Sequence, residues 1–125
     1  MKVIIAGCRN FDDYEMLKHY VDHILQNVAQ KESIEIVSGG AKGADALGER
    51  YAMERGYKLT VFPADWDKYG RGAGPKRNEQ MGDYADALIA FWDGQSRGTK
   101  HMIEYAVKKG LRVRVNYFLQ RHNAK

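Results

Sequence analysis

One stretch constrains the fold more than any other: Ser38-Gly39-Gly40-Ala41-Lys42-Gly43-Ala44-Asp45. The apolar run Ile34-Glu35-Ile36-Val37 leads into it, and a helix-like pattern of Ala44, Leu47, Tyr51 and Ala52 leads out. Strand, glycine loop and helix in that order aim backbone N–H groups at an anion. Glycines let the backbone approach a ligand closely or take positive φ. The plainer alternative is a tight strand-to-helix turn with no ligand. The anion or phosphate reading is preferred because similar loops recur along the chain.

The rest of the sequence repeats this alternation. Residues 2–6 read as a short buried strand closed by Gly7, and Gly7-Cys8-Arg9-Asn10 as its loop. Asp12 with Glu15 resembles a capping box. Leu17, Tyr20, Val21, Ile24, Leu25 and Val28 then mark an amphipathic helix. After the strand at 34–37, a helix runs to about Arg55, with Gly56 at its C′ position. Residues 57–62 form a third strand ended by Pro63, and 63–74 a long loop of the kind that usually carries function. Pro75 suits the first turn of a helix ending near Ala85. Residues 86–92 are a fourth strand, and Asp93-Gly94-Gln95-Ser96-Arg97-Gly98-Thr99 a second glycine-bearing turn. Met102, Ile103, Ala106 and Val107 mark a helix closed by Gly110, and residues 112–117 alternate as a fifth strand; residues 120–125 read as a frayed end. The expected fold is α/β: a Rossmann-like, doubly wound, mainly parallel five-stranded sheet with helices on both faces, one domain over residues 1–125. Ligands of such sheets sit beyond the carboxyl ends of the strands, where strand order reverses. Four loops reach that edge.

Composition narrows the function classes. With 125 residues and 44% apolar content, the chain is long enough for one full core. No apolar run nears the ~20 residues that span a membrane, so no membrane partner is expected. The single Cys8 cannot form an internal disulfide and points to a reducing cytoplasm. The net charge of +4 is concentrated at the end: Lys108, Lys109, Arg112, Arg114, Arg121 and Lys125 follow the last acid, Glu104. The remainder holds fourteen cations against sixteen acids, a net −2. A basic end can touch nucleic acid, although it is more often a solvated end.

Arg9, Arg77 and Arg97 stand in or beside the edge loops, and arginine suits bidentate phosphate contact. Neither the Walker pattern nor Gly-x-Gly-x-x-Gly is present, so ATP hydrolysis and ordinary NAD binding lack support, and no cofactor is expected. His19 and His23 are four apart but fall on the solvated helix face, so no metal is expected either. Cys8 reads as a small loop residue rather than a reactive thiol. Trp66 and Tyr69 either stack on a base or pack the long loop. Asp45, Asp65, Asp67, Asp93 and Glu104 are the carboxylates near the edge, none singled out by spacing.

Four segments together resemble the YspA-type family of the SLOG superfamily. They are Gly7-Cys8-Arg9; Ser38 through Asp45; Pro63-Ala64-Asp65-Trp66 with Ala73-Gly74-Pro75-Lys76-Arg77-Asn78; and Asp93 through Thr99. The resemblance covers nearly the whole chain. It implies a Rossmann-like fold and a nucleotide or nucleotide-derived ligand. The superfamily also contains LOG-type phosphoribohydrolases, which release a base from a nucleoside monophosphate, and DNA-processing protein A, which binds single-stranded DNA. The ligand residues it implies are Gly7, Cys8, Arg9, Ser38, Gly39, Gly40, Ala41, Gly43, Ala44, Asp45, Gly74, Arg77, Asn78, Ser96, Gly98 and Thr99.

Residue by residue, Arg77, Met81, Asp86 and Ala87 follow the LOG pattern Arg-x-x-x-Met…Asp-Ala, and Gly98-Thr99 matches its Gly-Thr. Met102 stands where LOG proteins carry a catalytic Glu, and Trp92-Asp93-Gly94 replaces their Pro-Gly-Gly. Binding therefore carries over better than hydrolysis. If the chain is an enzyme, the resemblance implies N-glycosidic cleavage of a nucleotide, with Arg77 holding phosphate and Asp93 as the substitute carboxylate. The rival expectation is a single-stranded DNA- or RNA-binding module acting through the basic end. LOG relatives are commonly dimers, which makes a homo-oligomer possible.

Overall fold

The computed structural model describes residues 1–28 and 30–119. The expected frayed end, 120–125, lies outside the described residues, as do Arg121 and Lys125 of the basic end. The described elements run β1 (Lys2–Gly7), α1 (Tyr14–Leu25), β2 (Glu35–Ser38), α2 (Ala44–Arg55), β3 (Lys58–Val61), α3 (Trp66–Tyr69), α4 (Ala73–Tyr84), β4 (Ala87–Trp92), α5 (Arg97–Lys108) and β5 (Arg112–Tyr117). Short 3-10 turns at Lys31–Ser33 and Gly70–Gly72 complete the path.

The described strands form a five-stranded sheet in the order β3-β2-β1-β4-β5, with every neighbouring pair parallel. β1 is central: Val3 lies opposite Ile36 of β2 and Ala87 of β4. Alternation sends successive side chains to opposite faces. Val3, Ile5, Ile36, Ile89 and Phe91 pack with Leu17, Val21 and Leu25 of α1 and with Ala44, Tyr51 and Ala52 of α2. Ile4, Ala6, Val37, Leu88 and Ala90 pack on the other face with Met81 of α4 and with Met102 and Ala106 of α5. Each large side chain fully removed from water in this way stabilises by about 1.5–3 kcal/mol. The chain builds β1 to β3 on one side, then crosses to β4 and β5, so the reversal of strand order falls between β1 and β4.

Local physics moves several of the expected boundaries. The cap of α1 is Asp13 and not Asp12: its Oδ1 accepts the N–H of Met16 at 3.0 Å. The helix stops at Leu25 and does not reach Val28. There Lys31 Nζ donates to the carbonyls of Leu25, Gln26 and Val28 at 3.0, 3.0 and 2.6 Å, placing a cation on the negative helix end. The stretch 63–74 is not one open loop. Asp65 caps the short α3 by accepting the Lys68 N–H at 3.1 Å, and α4 begins at Ala73, two residues before Pro75. α2 is only weakly amphipathic by pattern because its buried face is small and partly polar: Ala44, Asp45, Gly48, Tyr51 and Ala52. Gly48 lets it close onto β1, since a Cβ there would sit 2.8 Å from Ile5 Cβ.

Candidate functional site

A cleft of about 720 Å³ opens over the carboxyl ends of β1 and β4. That is where the strand order reverses, and where a parallel sheet leaves a crevice. Its floor is apolar: Ala6, Met81 and Met102, all nearly sealed from solvent. One wall is Cys8, Arg9 and Asn10 from the β1 loop. A second is the start of α5 from Ser96 to Thr99 with His101. A third is Trp66, Gly74, Pro75, Arg77 and Asn78, from α3 and α4. Ala41 and Asp45 are the members of the glycine octapeptide that line it.

The remaining octapeptide residues build the loop itself. Ser38 is fully buried; its Oγ donates to Glu49 Oε2 at 2.6 Å and accepts the Gly40 N–H at 3.1 Å. Gly43 has φ +76°, and a Cβ on it would lie 2.3 Å from the Cys8 carbonyl oxygen and 2.4 Å from that of Arg9. That carbonyl of Cys8 accepts the N–H of both Ala44 and Phe11 at 3.2 Å. So Gly43 and Ala44 lock the start of α2 against the β1 loop. Gly7 serves the same contact, with no room for a Cβ between Phe91 O and Ala44. Ser38, Gly39, Gly40, Gly43 and Ala44 therefore sit behind the cleft and shape it, and the loop is less an open anion cradle than the spacing of its glycines suggests.

Gly39 separates two charged groups. A Cβ there would lie 2.6 Å from Arg77 Nη1 and 2.8 Å from Asp45 Oδ2. Asp45 is 5% exposed and accepts the Ala41 N–H on Oδ2 at 3.2 Å. Burial pushes its carboxyl up to about 6, against the pull of the Ala41 amide and the Arg77 charge, with Glu49 adding repulsion. Arg77 is pushed down by burial first; Asp45 opposes that and Arg9 reinforces it. Its Nη1 donates to the Gly39 carbonyl and its Nε to Asn78 Oδ1 at 3.2 Å. Asn78 then donates from Nδ2 to Gly98 O at 3.2 Å, and the same atom lies 3.2 Å from His101 Nδ1. The chain of bonds Gly39, Arg77, Asn78, Gly98 ties the octapeptide to α4 and the start of α5.

The turn after β4 is held by its own polar groups. Asp93 Oδ1 accepts the N–H of Gln95 at 2.8 Å and of Ser96 at 2.9 Å. Ser96 caps α5 by accepting the Thr99 N–H at 3.3 Å, and its carbonyl accepts Trp92 Nε1 at 3.0 Å. Thr99 is buried, with its Oγ1 4.0 Å from Cys8 Sγ, and burial pushes the Cys8 thiol up. Asp93 thus lines the cleft while shaping the turn. Glu104 is exposed and does not line the cleft, whereas Met102, two residues earlier, does. The buried carboxylate facing this space is Asp45. Arg9 and Arg97 are exposed at its mouth and Arg77 is half-buried inside. A helix N-terminus beside arginines favours an anion.

Sequence reasoning placed Asn10 and Gln95 in the edge loops without singling them out as ligand residues, and it did not find His101. His101 had a signal: it is four residues past Arg97, one turn on along the same side of α5. Among the described residues, no group of three or more His, Cys, Asp or Glu is placed to hold a metal ion, and no helix is long and apolar enough to cross a membrane.

Comparison with known proteins agrees with this architecture. The Gene 61 protein of Mycobacterium phage D29 is 39% identical over 118 residues, which cover 90% of this chain and 93% of that protein. The X-ray structure of DNA processing protein A from Streptococcus pneumoniae matches with a TM-score of 0.71 at 20% identity, over 91% of this chain and 49% of that one. This chain spans about half the length of that structure, and the likeness is one of fold. A family profile for YspA, cpYpsA-related SLOG proteins matches residues 1–69. With more than half of its length matched by that profile, the chain belongs to the YspA, cpYpsA-related SLOG family.

Proposed function

We propose that the cleft binds a nucleotide or nucleotide-derived ligand, as a sensor or carrier site in a single domain. One observation carries this reading: Arg9, Arg77 and Arg97 come from three separate segments yet meet at one cleft with the start of α5. A phosphate at the mouth would meet the guanidinium groups of Arg9 and Arg97 and the first-turn amides of α5. The apolar floor and Trp66 suit a ring, and the buried Asp45 suits a hydrogen-bond donor such as a sugar hydroxyl.

Turnover is the narrower version. N-glycosidic cleavage develops positive charge on the ribose, which a carboxylate beside it stabilises. Met102, at the position of the LOG glutamate, cannot do this, and Glu104 stands outside the cleft. Asp45 is better placed than Asp93, because Asp93 already holds the turn before α5. We therefore favour binding without hydrolysis.

The test is thermal shift of purified protein against nucleoside mono-, di- and triphosphates and nucleotide second messengers, followed by assay for free base. A ligand at ~100 times its Kd stabilises by about 2.7 kcal/mol. The expected outcome is a shift with at least one nucleotide, reduced in Arg9→Ala and Arg97→Ala, and no base released. No shift with any nucleotide sinks the reading. Base release that disappears in Asp45→Asn converts the carrier into a hydrolase.

A further inference from the structure

We infer that Trp66 is the base-stacking wall of the cleft, so that the ligand is one that retains a nucleobase and not a bare sugar phosphate. This deepens the nucleotide reading and rests on it.

The exposure of Trp66 has no explanation in the packing of the fold. Trp66 is 52% exposed, and α3, which carries it, contributes no buried residue. It belongs to neither of the two core clusters on the faces of the sheet. A large aromatic left half in water forgoes much of the stabilisation that burial would give it. Packing of the 63–74 segment therefore does not account for it. Tyr69, one turn on, differs: its ring has Lys68 Nζ 5.1 Å and Lys76 Nζ 6.0 Å from its centroid, and it does not line the cleft. Trp66 does line it, next to Gly74 at the start of α4, where an added Cβ would be 3.8 Å from Trp66 Cη2.

The surroundings suit a flat ring. The same cleft is lined by Ala6, Met81 and Met102, and the last two carry polarisable thioethers of the kind that make favourable contacts with aromatic rings. Arg9 and Arg97 sit at the mouth, while Arg77, in the same wall as Trp66, donates to the Gly39 carbonyl and to Asn78. An anionic end at the start of α5 and a ring against Trp66 use both halves of the cleft. A sugar phosphate would use only the first.

The experiment measures binding by calorimetry of the four common nucleoside 5′-monophosphates and of ribose 5-phosphate to the full chain and to Trp66→Ala and Trp66→Phe. Stacking on an aromatic is worth about 1–3 kcal/mol per base by alanine substitution, about 5- to 150-fold in Kd. Trp66→Ala is expected to weaken the preferred nucleotide by that factor and to leave ribose 5-phosphate within about twofold. Trp66→Phe is expected to restore most of the loss. Of the two tryptophans in the chain, Trp66 and Trp92, Trp66 should account for fluorescence quenching by the bound base, so Trp66→Phe binds with little quenching. Equal loss for nucleotide and sugar phosphate, or unchanged nucleotide affinity in Trp66→Ala, overturns the role of Trp66 while leaving the nucleotide site standing. Failure of the unaltered protein to bind any of the five probes, together with no thermal shift from any di- or triphosphate or second messenger, overturns both.

Discussion

Asp45 and Glu35 are the two carboxylates buried among the described residues, and their surroundings treat them in opposite ways. Burial raises the pKa of Glu35, but Tyr84 and Thr60 donate to its Oε2 at 2.5 and 2.7 Å and Lys58 lies 3.6 Å from Oε1, so the net shift is downward. Burial also raises that of Asp45, and there it wins, from 3.8 to about 6. A folded pKa above the unfolded one means that the native state holds its proton longer. Stability then falls as pH rises from about 4 to 6, and the cost persists at neutral pH. A shift of about two units corresponds to at most about 3 kcal/mol. Asp45→Asn should therefore raise the melting temperature at pH 7.5 and have a smaller effect at pH 4, where native Asp45 is protonated and the unfolded carboxyl is near its midpoint. Chemical denaturation at the two pH values checks this; an equal effect at both would mean that ionisation of Asp45 carries no folding cost. A charge kept at such a cost, in a cleft, marks a functional candidate.

At the level of elements, the start of α2 shows how one glycine couples two loops. Gly43 has positive φ and also faces the carbonyls of Cys8 and Arg9 at a distance no Cβ tolerates. Gly94 has positive φ, +85°, with nothing within 4 Å. Gly94→Ala should therefore cost only the left-handed backbone term, about 1–2 kcal/mol. Gly43→Ala should cost clearly more, because the β1 loop and the start of α2 must also separate. Urea unfolding of the two variants separates the terms. Similar losses would show that the contact of Gly43 with the β1 loop contributes little. The same contact positions Arg9, so Gly43→Ala should also weaken ligand binding where Gly94→Ala does not.

At the scale of the whole molecule, two sets of arginines among the described residues bear on the choice between a small ligand and a nucleic acid. Arg9, Arg77 and Arg97 collect at the cleft, while Arg112 and Arg114 are exposed on β5, the edge strand beside β4. The two sites make different demands on salt. A mononucleotide in the cleft neutralises few charges, so its log Kd should change with log salt by a slope of magnitude below about 2. A single strand running along the β5 side would add about 0.7 for each phosphate neutralised. Titration between 50 and 300 mM salt with a nucleoside monophosphate and with a 20-nucleotide single strand measures both. The expected result is a shallow slope for the mononucleotide and weak strand binding that Arg112→Glu with Arg114→Glu abolishes. Tight strand binding with a steep slope would favour a nucleic-acid module.

What the sequence determined by itself was periodic or punctuated. Continuous apolar runs in β1, β2 and β4, the spacing of Leu17, Val21 and Leu25, and the glycines after strands specify a parallel α/β sheet, because hydrophobic burial and backbone sterics act locally. The edge on which the loops converge follows from that topology alone. Competing local groups were harder to rank: Asp12 and Asp13 are both good caps, and only the entry path of the chain selects Asp13. The division of labour in the glycine octapeptide was decided by tertiary structure. Gly43 faces the carbonyls of a loop more than thirty residues earlier in the chain, Gly39 separates Arg77 from Asp45, and Ser38 is turned inward to Glu49. The same holds for the choice among carboxylates. Asp45, Asp93 and Glu104 look alike in sequence, but the fold buries Asp45 and leaves Glu104 exposed, and desolvation is a property of the folded whole.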